Sequence, residues 1–501
     1  MATPVNLSLL ERLDLIPAHL SLVSSALYHA ISGPFRGQSG AYTYKHHITH
    51  AVVRKMLARY STLQLQYSSP TFSQLYDQWA AKNKVTPNKV RLSTGTEAFW
   101  VGDPKADYVV IYYHGGGFSL EGGAEHFQFW GNDVLSDLKS AGKSVAFLFL
   151  QYTLVPHGTY PVQVTEAIEG LRYVTQDLKR SADTILLGGD SAGGNMALAV
   201  LSQALHPSPD LPKVYIDKPL KGLVLIAPWV RFVHQTESVA NNKYKDIVTA
   251  EVAEVWSSGY LAGKETSPYI EPGTADASWW KDAPVEHIVC VAGRDELLFD
   301  AITEWVGKYK SVNGPESITF VIGEHEVHIA PLIELRLGDT TPTQQGEAIK
   351  SCWTRRGAFS SGELPRFKFL RQAASTASSS SKRSLSKLGE IAAWPPSAAR
   401  ANRNKNKKGG VRKSSIRLAP PALQPRRLLE SPIPSVVDPD DQDLHSISAQ
   451  YFRAFPLESL QSSNEEEEND GGEEGTESEA DTLLNIVAAS DPRGAGAAAH
   501  L

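Results

Sequence analysis

Residues 184–205, TILLGGDSAGGNMALAVLSQAL, join two apolar segments through a turn of very small residues. The first segment has the aliphatic, β-branched character of a buried strand, and the second has the length and apolar content of a buried helix. Between them lies Gly189-Asp190-Ser191-Ala192-Gly193, which fits the pattern G-x-S-x-G. We therefore predict a strand, a sharp turn and a helix, with Ser191 at the tip of the turn.

The position of Ser191 in this turn is typical of a nucleophilic serine. A sharp strand-to-helix turn exposes the hydroxyl, and its neighbours must be small because the serine adopts a strained backbone conformation. The dipole of the following helix also favours negative charge at this point. A tight turn with a bystander serine is the alternative, since glycine and serine are common residues. The setting between a strand and a helix favours the nucleophile.

Further apolar runs alternate with helical stretches on both sides of this segment. The runs in the middle are apolar throughout, as expected of parallel strands covered by helices on both faces. This alternation predicts an α/β fold with a mostly parallel, doubly wound sheet. The predicted strands are TEAFWVG, ADYVVIYYHGG, SVAFLFLQY, TILLGGD, KGLVLIAPW, HIVCVAGRD and SITFVIG.

Composition divides the 501 residues into three regions. Residues 1–85 carry apolar positions at helical spacing and predict a helical N-terminal region. Residues 86–356 hold the alternating strands and helices, interrupted at about 230–280 by a predicted lid-like insertion. Residues 357–501 are poor in large apolar side chains, which predicts disorder. The basic run in this tail, RANRNKNKKGGVRKSSIR, is typical of a solvated linker, with a nuclear-import or nucleic-acid patch as the alternative.

Charge, cysteine content and the N-terminus bear on partners and location. The net charge of −6 gives no reason to expect a nucleic-acid partner. The only cysteines, Cys290 and Cys352, exclude a disulfide framework and fit an intracellular, cytoplasmic location. The N-terminus lacks the features of a secretory signal. The stretch from Leu15 to Ile31 predicts an amphipathic helix that packs on the core, with peripheral contact to a membrane such as the endoplasmic reticulum as the alternative.

Three consecutive glycines follow the predicted strand VVIYY, in His114-Gly115-Gly116-Gly117-Phe118. Without a Cβ, their backbone N–H groups can approach a substrate closely. Two or three such donors stabilise the oxyanion of acyl transfer, at about 3–4 kcal/mol for each donor. A phosphate-binding loop is the alternative, but neither a following Lys-Ser/Thr pair nor the spacing G-x-G-x-x-G is present. The loop therefore predicts an oxyanion hole.

An acid and a base are expected after the last two strands, in the order serine, acid, histidine. Asp295 comes just past HIVCVAG, where a carboxylate can orient an imidazole, and its rivals there are Glu296 and Asp300. After SITFVIG, two histidines compete for the base, which must take the serine proton. We favour His328, which precedes an apolar turn, over His325, which lies between glutamates. No third ligand supports a metal site at these histidines.

Taken together, these motifs resemble the hormone-sensitive-lipase-like branch of the α/β hydrolases, and most closely its fungal members, which include steryl acetyl hydrolases. The resemblance covers about residues 90–356, and the tail beyond departs from the family pattern. It rests on YYHGGGFSL, QYTLVPHGTYPVQ, GGDSAGGNMALA, the Pro228-Trp229 pair, GRDELLFD and EVHIAPLI.

This resemblance implies carboxylic ester hydrolysis through an acyl-enzyme, without a metal or an organic cofactor. It implies Ser191 as nucleophile, Asp295 as acid and His328 as base. It also implies the N–H groups of Gly116, Gly117 and Ala192 as the oxyanion hole. In this family, N-terminal helices cap the active site, which would account for residues 1–85.

The expected substrates are short-acyl esters of hydrophobic alcohols. Aromatic residues of the predicted insertion would either line the substrate pocket or pack within the insertion. A lipase acting on longer acyl chains is one alternative, and a catalytically silent binding protein with this fold is another. The aromatic residues are Trp256, Tyr260, Tyr269, Trp279 and Trp280.

Overall fold

The computed structural model describes residues 5–232 and 235–354. The segment 357–501, with its predicted disorder and its basic run, lies outside these residues. Within the described part of the chain, no helix combines the length and the apolar character needed to span a bilayer.

One eight-stranded sheet forms the centre of the fold, in the order β1-β2-β4-β3-β5-β6-β7-β8. Strands β3 to β8 are parallel, whereas β2 runs antiparallel to both β1 and β4. The predicted α/β fold with a mostly parallel sheet is thus confirmed. The strands are β1 (Lys89–Arg91), β2 (Glu97–Val101), β3 (Tyr108–Tyr113), β4 (Val145–Gln151), β5 (Ile185–Asp190), β6 (Gly222–Ile226), β7 (Ile288–Gly293) and β8 (Ile318–Gly323).

Strand β1 is absent from the predicted runs because it is a short edge strand with exposed ends and no apolar run. The central strands are apolar on both faces because each face packs into an apolar cluster, as their continuous apolar runs predict. Ile111 and Leu187 pack into one apolar cluster, while Val110 and Leu186, their neighbours in sequence, pack into a second. Each fully buried side chain of this kind stabilises the fold by about 1.5–3 kcal/mol.

Helices cover the sheet, and four of them precede it. A π-helical segment, Phe127–Val134, joins two of the helices, and another, Tyr173–Asp177, follows a third. The helices are α1 (Leu9–Ser32), α2 (Tyr44–Arg59), α3 (Thr62–Tyr67), α4 (Phe72–Asn83), α5 (Ala124–His126), α6 (Leu135–Ser140), α7 (Val162–Arg172), α8 (Ala192–Leu205), α9 (Glu237–Asn242), α10 (Ala250–Leu261), α11 (Phe299–Asn313), α12 (Ala330–Arg336) and α13 (Gln344–Thr354).

Helix α1 is amphipathic. It begins at a capping box in which Ser8 and Glu11 satisfy each other's backbone N–H groups. Its buried face, with Leu15 and Leu22, packs in one apolar cluster with Ile48 of α2. The opposite side is apolar as well and more than half exposed at five positions. These are Leu9, Leu10, Leu13, Ile16 and Leu20.

The parallel arrangement brings four loops to one edge of the sheet. The glycine loop follows β3, the Ser191 turn follows β5, the predicted acids follow β7, and the two histidines follow β8. In open α/β sheets the carboxyl ends of parallel strands form the crevice in which ligands bind. The candidate residues therefore come together although more than 200 positions separate the first from the last.

Candidate active site

Ser191 occupies a strained turn between β5 and α8. Its backbone has φ 51° and ψ −117°, a conformation that residues other than glycine rarely adopt. The turn is held because the N–H of Ser191 donates to the Ile226 carbonyl (2.9 Å) and the Ser191 carbonyl accepts from Trp229 (2.9 Å). Glycine is required at 193, where a Cβ would clash with the Tyr113 carbonyl. The turn thus has the local structure predicted from its small residues.

Asp190, the residue before the serine, is a buried carboxylate that anchors the turn from behind. Its Oδ1 accepts hydrogen bonds from Tyr112 Oη and from His126 Nε2, both at 3.0 Å. Burial alone would raise the pKa of this carboxyl, but the charge and hydrogen bond of His126 hold it below the ordinary value. This ionised, hydrogen-bonded side chain therefore holds the residue that precedes Ser191 in place.

The glycine loop lies beside Ser191 and adopts backbone conformations that only glycine tolerates well. Gly116 has φ 100° and Gly117 has φ 59°, and both line the same cavity as Ser191. A Cβ on Gly117 would clash with the ring of Trp256. Ala192 is the first residue of α8, directly after the serine. The predicted oxyanion residues are thus adjacent to the candidate nucleophile.

The structure separates the two histidines. His328 is buried and lines the cavity that contains Ser191. The His325 side chain is 55% exposed and stacks on Tyr42, with ring centroids 4.1 Å apart. Of these two histidines, only His328 lines a cavity that contains Ser191.

The two acids after β7 point in different directions. Asp295 accepts a hydrogen bond from Lys245 Nζ at 3.0 Å, and its other oxygen lies 3.9 Å from Nδ1 of the exposed His325. Glu296 is fully buried, and its Oε2 lies 3.9 Å from Nδ1 of His328. Among the described residues, Nδ1 of His328 has no hydrogen-bond partner. The residue that faces His328 is therefore Glu296, which the sequence offered only as a rival to Asp295.

Asp246 is a site residue that the sequence does not mark. Its buried carboxylate accepts three backbone N–H groups: Ile247 (2.7 Å), Leu297 (2.7 Å) and His328 (3.1 Å). It therefore ties the loop after β7 to the loop after β8. It lies in the segment predicted as an insertion, and no neighbouring motif distinguishes it from an ordinary surface aspartate.

These buried acids change the properties of the imidazole. Burial alone would lower the pKa of His328, but the hydrogen-bonding capacity and charge of Glu296, together with the charge of Asp246, raise it above the ordinary value. A histidine accepts a proton in its neutral form, and the raised pKa makes the neutral imidazole of His328 a stronger base. A 3.9 Å separation exceeds a hydrogen bond, and catalytic contacts of this kind often tighten when substrate binds.

Two cavities meet at Ser191 and His328. The larger has a volume of about 110 Å³, and its apolar walls come from α2, α3, α10 and α12. The smaller has a volume of about 20 Å³, and residues such as Trp229, Ala253 and Leu298 line it. Trp256 borders both cavities.

The other aromatic residues of the insertion do not line either cavity. Tyr260 and Trp280 are fully buried in the core. Tyr269 and Trp279 pack near His206, whose carbonyl accepts the Tyr269 hydroxyl at 2.5 Å. Of the five candidates, Trp256 is the one that borders the site, and the rest have the packing role.

A comparison with protein families matches residues 110–320 to a family described as having the alpha/beta hydrolase fold. Carboxylesterase NlhH of Mycobacterium tuberculosis is 28% identical over 179 residues, which cover 34% of this chain and 52% of the relative. Steryl acetyl hydrolase 1 of Saccharomyces cerevisiae is 30% identical over 141 residues, which cover 27% of this chain and 30% of the relative. The chain thus spans about half or less of the length of these relatives.

Solved structures also resemble the chain. An esterase from the bacterial hormone-sensitive lipase family has a TM-score of 0.44 and 21% identity, and the match covers 64% of this chain and 93% of that one. The family match runs from within β3 into β8 and includes the Ser191 turn. Residues 110–320 of the chain thus match a family with the alpha/beta hydrolase fold, in agreement with the resemblance that the sequence motifs predict.

Proposed function

We propose that this protein is a serine carboxylic ester hydrolase. The observation that carries the proposal is a strained serine that shares one apolar cavity with a buried histidine and a glycine loop. Relatives that are themselves a carboxylesterase and a steryl acetyl hydrolase support the same reaction class. An apolar cavity suits the hydrophobic part of an ester, and the reaction requires no metal or organic cofactor.

In the proposed reaction, Ser191 Oγ attacks the ester carbonyl while His328 accepts its proton. The negative charge that develops on the carbonyl oxygen is stabilised by the N–H groups of Gly116, Gly117 and Ala192. His328 then returns the proton to the departing alcohol, leaving the acyl group on Ser191. Water, deprotonated by His328, attacks this acyl-enzyme, and the acid and the free serine are released.

We propose Glu296, in place of Asp295, as the acid that orients His328. Its burial and its position beside Nδ1 support this role. Asp295 is engaged instead by Lys245. Asp246 supports the base in a different way, because it holds the backbone N–H of His328.

The unequal cavities support short acyl groups on bulkier alcohols. A cavity of about 20 Å³ accommodates roughly one water-sized group, which matches the methyl of an acetyl ester. The larger cavity suits the alcohol, because its walls are mainly aliphatic. Its lining also includes Glu121, whose pKa is raised by burial to about 7, and the Arg336–Glu125 pair. The proposed alcohols are therefore mainly hydrophobic and carry a polar group.

Contact with a membrane surface is proposed through the exposed apolar side of α1. Leu9, Leu13, Ile16 and Leu20 are spaced as one stripe along a helix, and each is more than half exposed. Helices of this kind lie in the interface with their apolar side among the lipids. Glu11, Arg12 and Asp14 give this region no excess of positive charge, so binding would depend on apolar contact.

Replacing Ser191 with alanine should abolish hydrolysis while leaving the fold intact. We expect kcat/KM for p-nitrophenyl acetate to fall by about 10⁴-fold or more, because the nucleophile is lost. A fluorophosphonate probe should label the natural protein and fail to label Ser191→Ala. Ser69→Ala, which alters another serine lining the same cavity, is the matched control and should label normally. Absence of labelling in the natural protein would favour the catalytically silent binding protein.

The choice of acid is tested by comparing Glu296→Gln with Asp295→Asn. We expect Glu296→Gln to lower kcat by about 10³–10⁴-fold with little change in KM, because the imidazole loses its orienting charge. Its residual activity should extend to lower pH, since removing this carboxylate lowers the pKa of His328 and keeps the base neutral. Asp295→Asn should stay within about 10-fold of the natural enzyme. The reverse order of effects in steady-state kinetics would restore Asp295 as the acid.

Shortening Trp256 should widen the acyl specificity. Trp256→Ala removes the indole ring that borders both cavities, which leaves room for longer acyl groups. We therefore expect kcat/KM for hexanoate relative to acetate to rise at least about 10-fold. The control is Trp279→Ala, which alters a tryptophan outside both cavities. Rates would be measured across p-nitrophenyl esters from acetyl to palmitoyl. A preference of the natural enzyme for long chains would instead indicate a lipase.

Membrane contact is tested by flotation with uncharged phosphatidylcholine vesicles. The natural protein should float with the vesicles, and added salt should have little effect, because the contact is apolar. Leu13→Glu combined with Ile16→Glu should abolish flotation. A double control, Leu178→Glu with Tyr215→Glu, alters exposed apolar residues elsewhere and should not. Equal flotation of both variants would contradict a role for α1.

A further inference from the structure

A cluster of metal-binding side chains lies away from the catalytic residues, between helix α2 and the end of helix α12. His46 Nε2 lies 3.1 Å from Glu334 Oε2 and 3.7 Å from Asp339 Oδ2. His50 Nε2 lies 3.5 Å from the other Glu334 oxygen, Oε1. His46 and His50 are one helical turn apart and their rings are stacked in parallel.

The arrangement of His50 is the independent sign of a ligand. The ring is only 2% exposed, and its Nδ1 lies 3.0 Å from the carbonyl oxygen of Lys245. A carbonyl accepts hydrogen bonds but cannot donate them, so Nδ1 must carry the proton. In a neutral ring, Nε2 then presents a lone pair to a carboxylate, and it has no hydrogen-bond partner among the described residues. A bound cation nearby or a proton on Nε2 would relieve the contact between these two electron-rich groups.

The distances suit a tetrahedral metal ion. Zinc binds histidine nitrogen and carboxylate oxygen at about 2.0–2.2 Å, so ligand atoms around one tetrahedral ion are about 3.3–3.5 Å apart. The separations of His46 Nε2 from Glu334 Oε2 (3.1 Å) and from Asp339 Oδ2 (3.7 Å) are close to this value, and the ligand atoms of these three residues all lie within 4.8 Å of one another. His50 is outside this set of three, and it faces the other Glu334 oxygen.

We propose that His46, Glu334 and Asp339 form a site for Zn²⁺ or a similar divalent transition metal, with His50 positioning Glu334 through its other carboxylate oxygen. The site is separate from the proposed catalytic machinery, and the metal plays no part in ester cleavage. Lys45 competes for the site, because its ammonium lies 3.0 Å from Asp339 Oδ2. This pair is partly exposed and contributes little to stability, so a divalent ion can displace the lysine.

The metal would clasp two walls of the larger cavity together. His46, His50, Val53 and Leu57 are spaced along one face of α2, and the last two line the cavity. On the other side, Glu334 lies on α12 beside Ile333, which also lines the cavity. An ion bound at one end of this helix pair would therefore restrain the cavity walls at the other end.

The test uses the full chain and zinc chloride, in the natural protein and in the inactive Ser191→Ala variant, so that the result does not depend on hydrolysis. We expect one zinc per chain by calorimetry, a rise in melting temperature of several degrees, and tetrahedral absorption bands when cobalt replaces zinc. Hydrogen exchange should slow in α2 and α12 but not in the core helix α8.

Two variants should lose these effects: His46→Phe, which keeps an aromatic ring, and Glu334→Gln. His50→Asn, whose amide still reaches the Lys245 carbonyl, should only weaken zinc binding, because it alters the positioning of Glu334. Lys45→Met should bind zinc more tightly, because it removes the competing cation. The control is His29→Asn, which alters a histidine of the same N-terminal region that lies 3.3 Å from His47.

The absence of stoichiometric zinc binding would overturn the proposal, and a protonated histidine would then be the cation between the ring and the carboxylate. Binding that survives both ligand substitutions, His46→Phe and Glu334→Gln, would also overturn the proposal, because the ion would be held by other residues. Zinc binding without slower hydrogen exchange in α2 would contradict the proposal that the metal restrains the cavity walls.

Discussion

The site depends on a single buried carboxylate, that of Asp246. Removing an ionised carboxylate from water is costly unless hydrogen bonds replace its hydration. Asp246 meets this requirement by accepting the backbone N–H groups of Ile247, Leu297 and His328. Two of these donors belong to the loops after β7 and β8. The requirement to satisfy one charge therefore fixes the segment that carries His328, the proposed base, against the segment that carries Glu296.

The N-terminal helices reach the same point through the backbone. His50 of α2 donates to the Lys245 carbonyl, and Arg54, one turn later, donates to the Asp246 carbonyl. Arg54 is itself buried, so it needs this acceptor. The position of α2 and the positions of the loops after β7 and β8 are thus set by adjacent residues, 245 and 246. A change in the packing of α2 would therefore alter the position of His328.

Much of this arrangement could be predicted from the sequence, and the reason is local. The Ser191 turn needs small residues because φ is positive at the serine, and the glycine loop needs them because Gly116 and Gly117 have positive φ. Such constraints leave visible patterns. The central strands were also predictable, because strands buried on both faces are apolar throughout, whereas the edge strand β1 carries no such pattern.

The acid and its support could not be chosen in the same way. Asp295 and Glu296 are neighbours, and only the direction of the backbone after β7 decides which of them faces His328. That direction is fixed in part by the Glu296 carboxylate, which accepts the N–H of Gly293 at 3.0 Å, and by Asp246, which is about fifty residues away in sequence. Contacts between segments that are distant in sequence produce no characteristic residue spacing, so no sequence motif reveals them.

The two cavities follow from the same division between local and distant contacts. The small cavity is built close to the serine, by the turn after β6 and by α10, so its size is set by rigid neighbours such as Trp229 and Trp256. The large cavity needs α2 and α12, which come from opposite ends of the described chain and meet through His46, His50 and Glu334. In the proposed reaction, acyl size would therefore be limited by the core, whereas the space for the alcohol would depend on how firmly the two helices are joined.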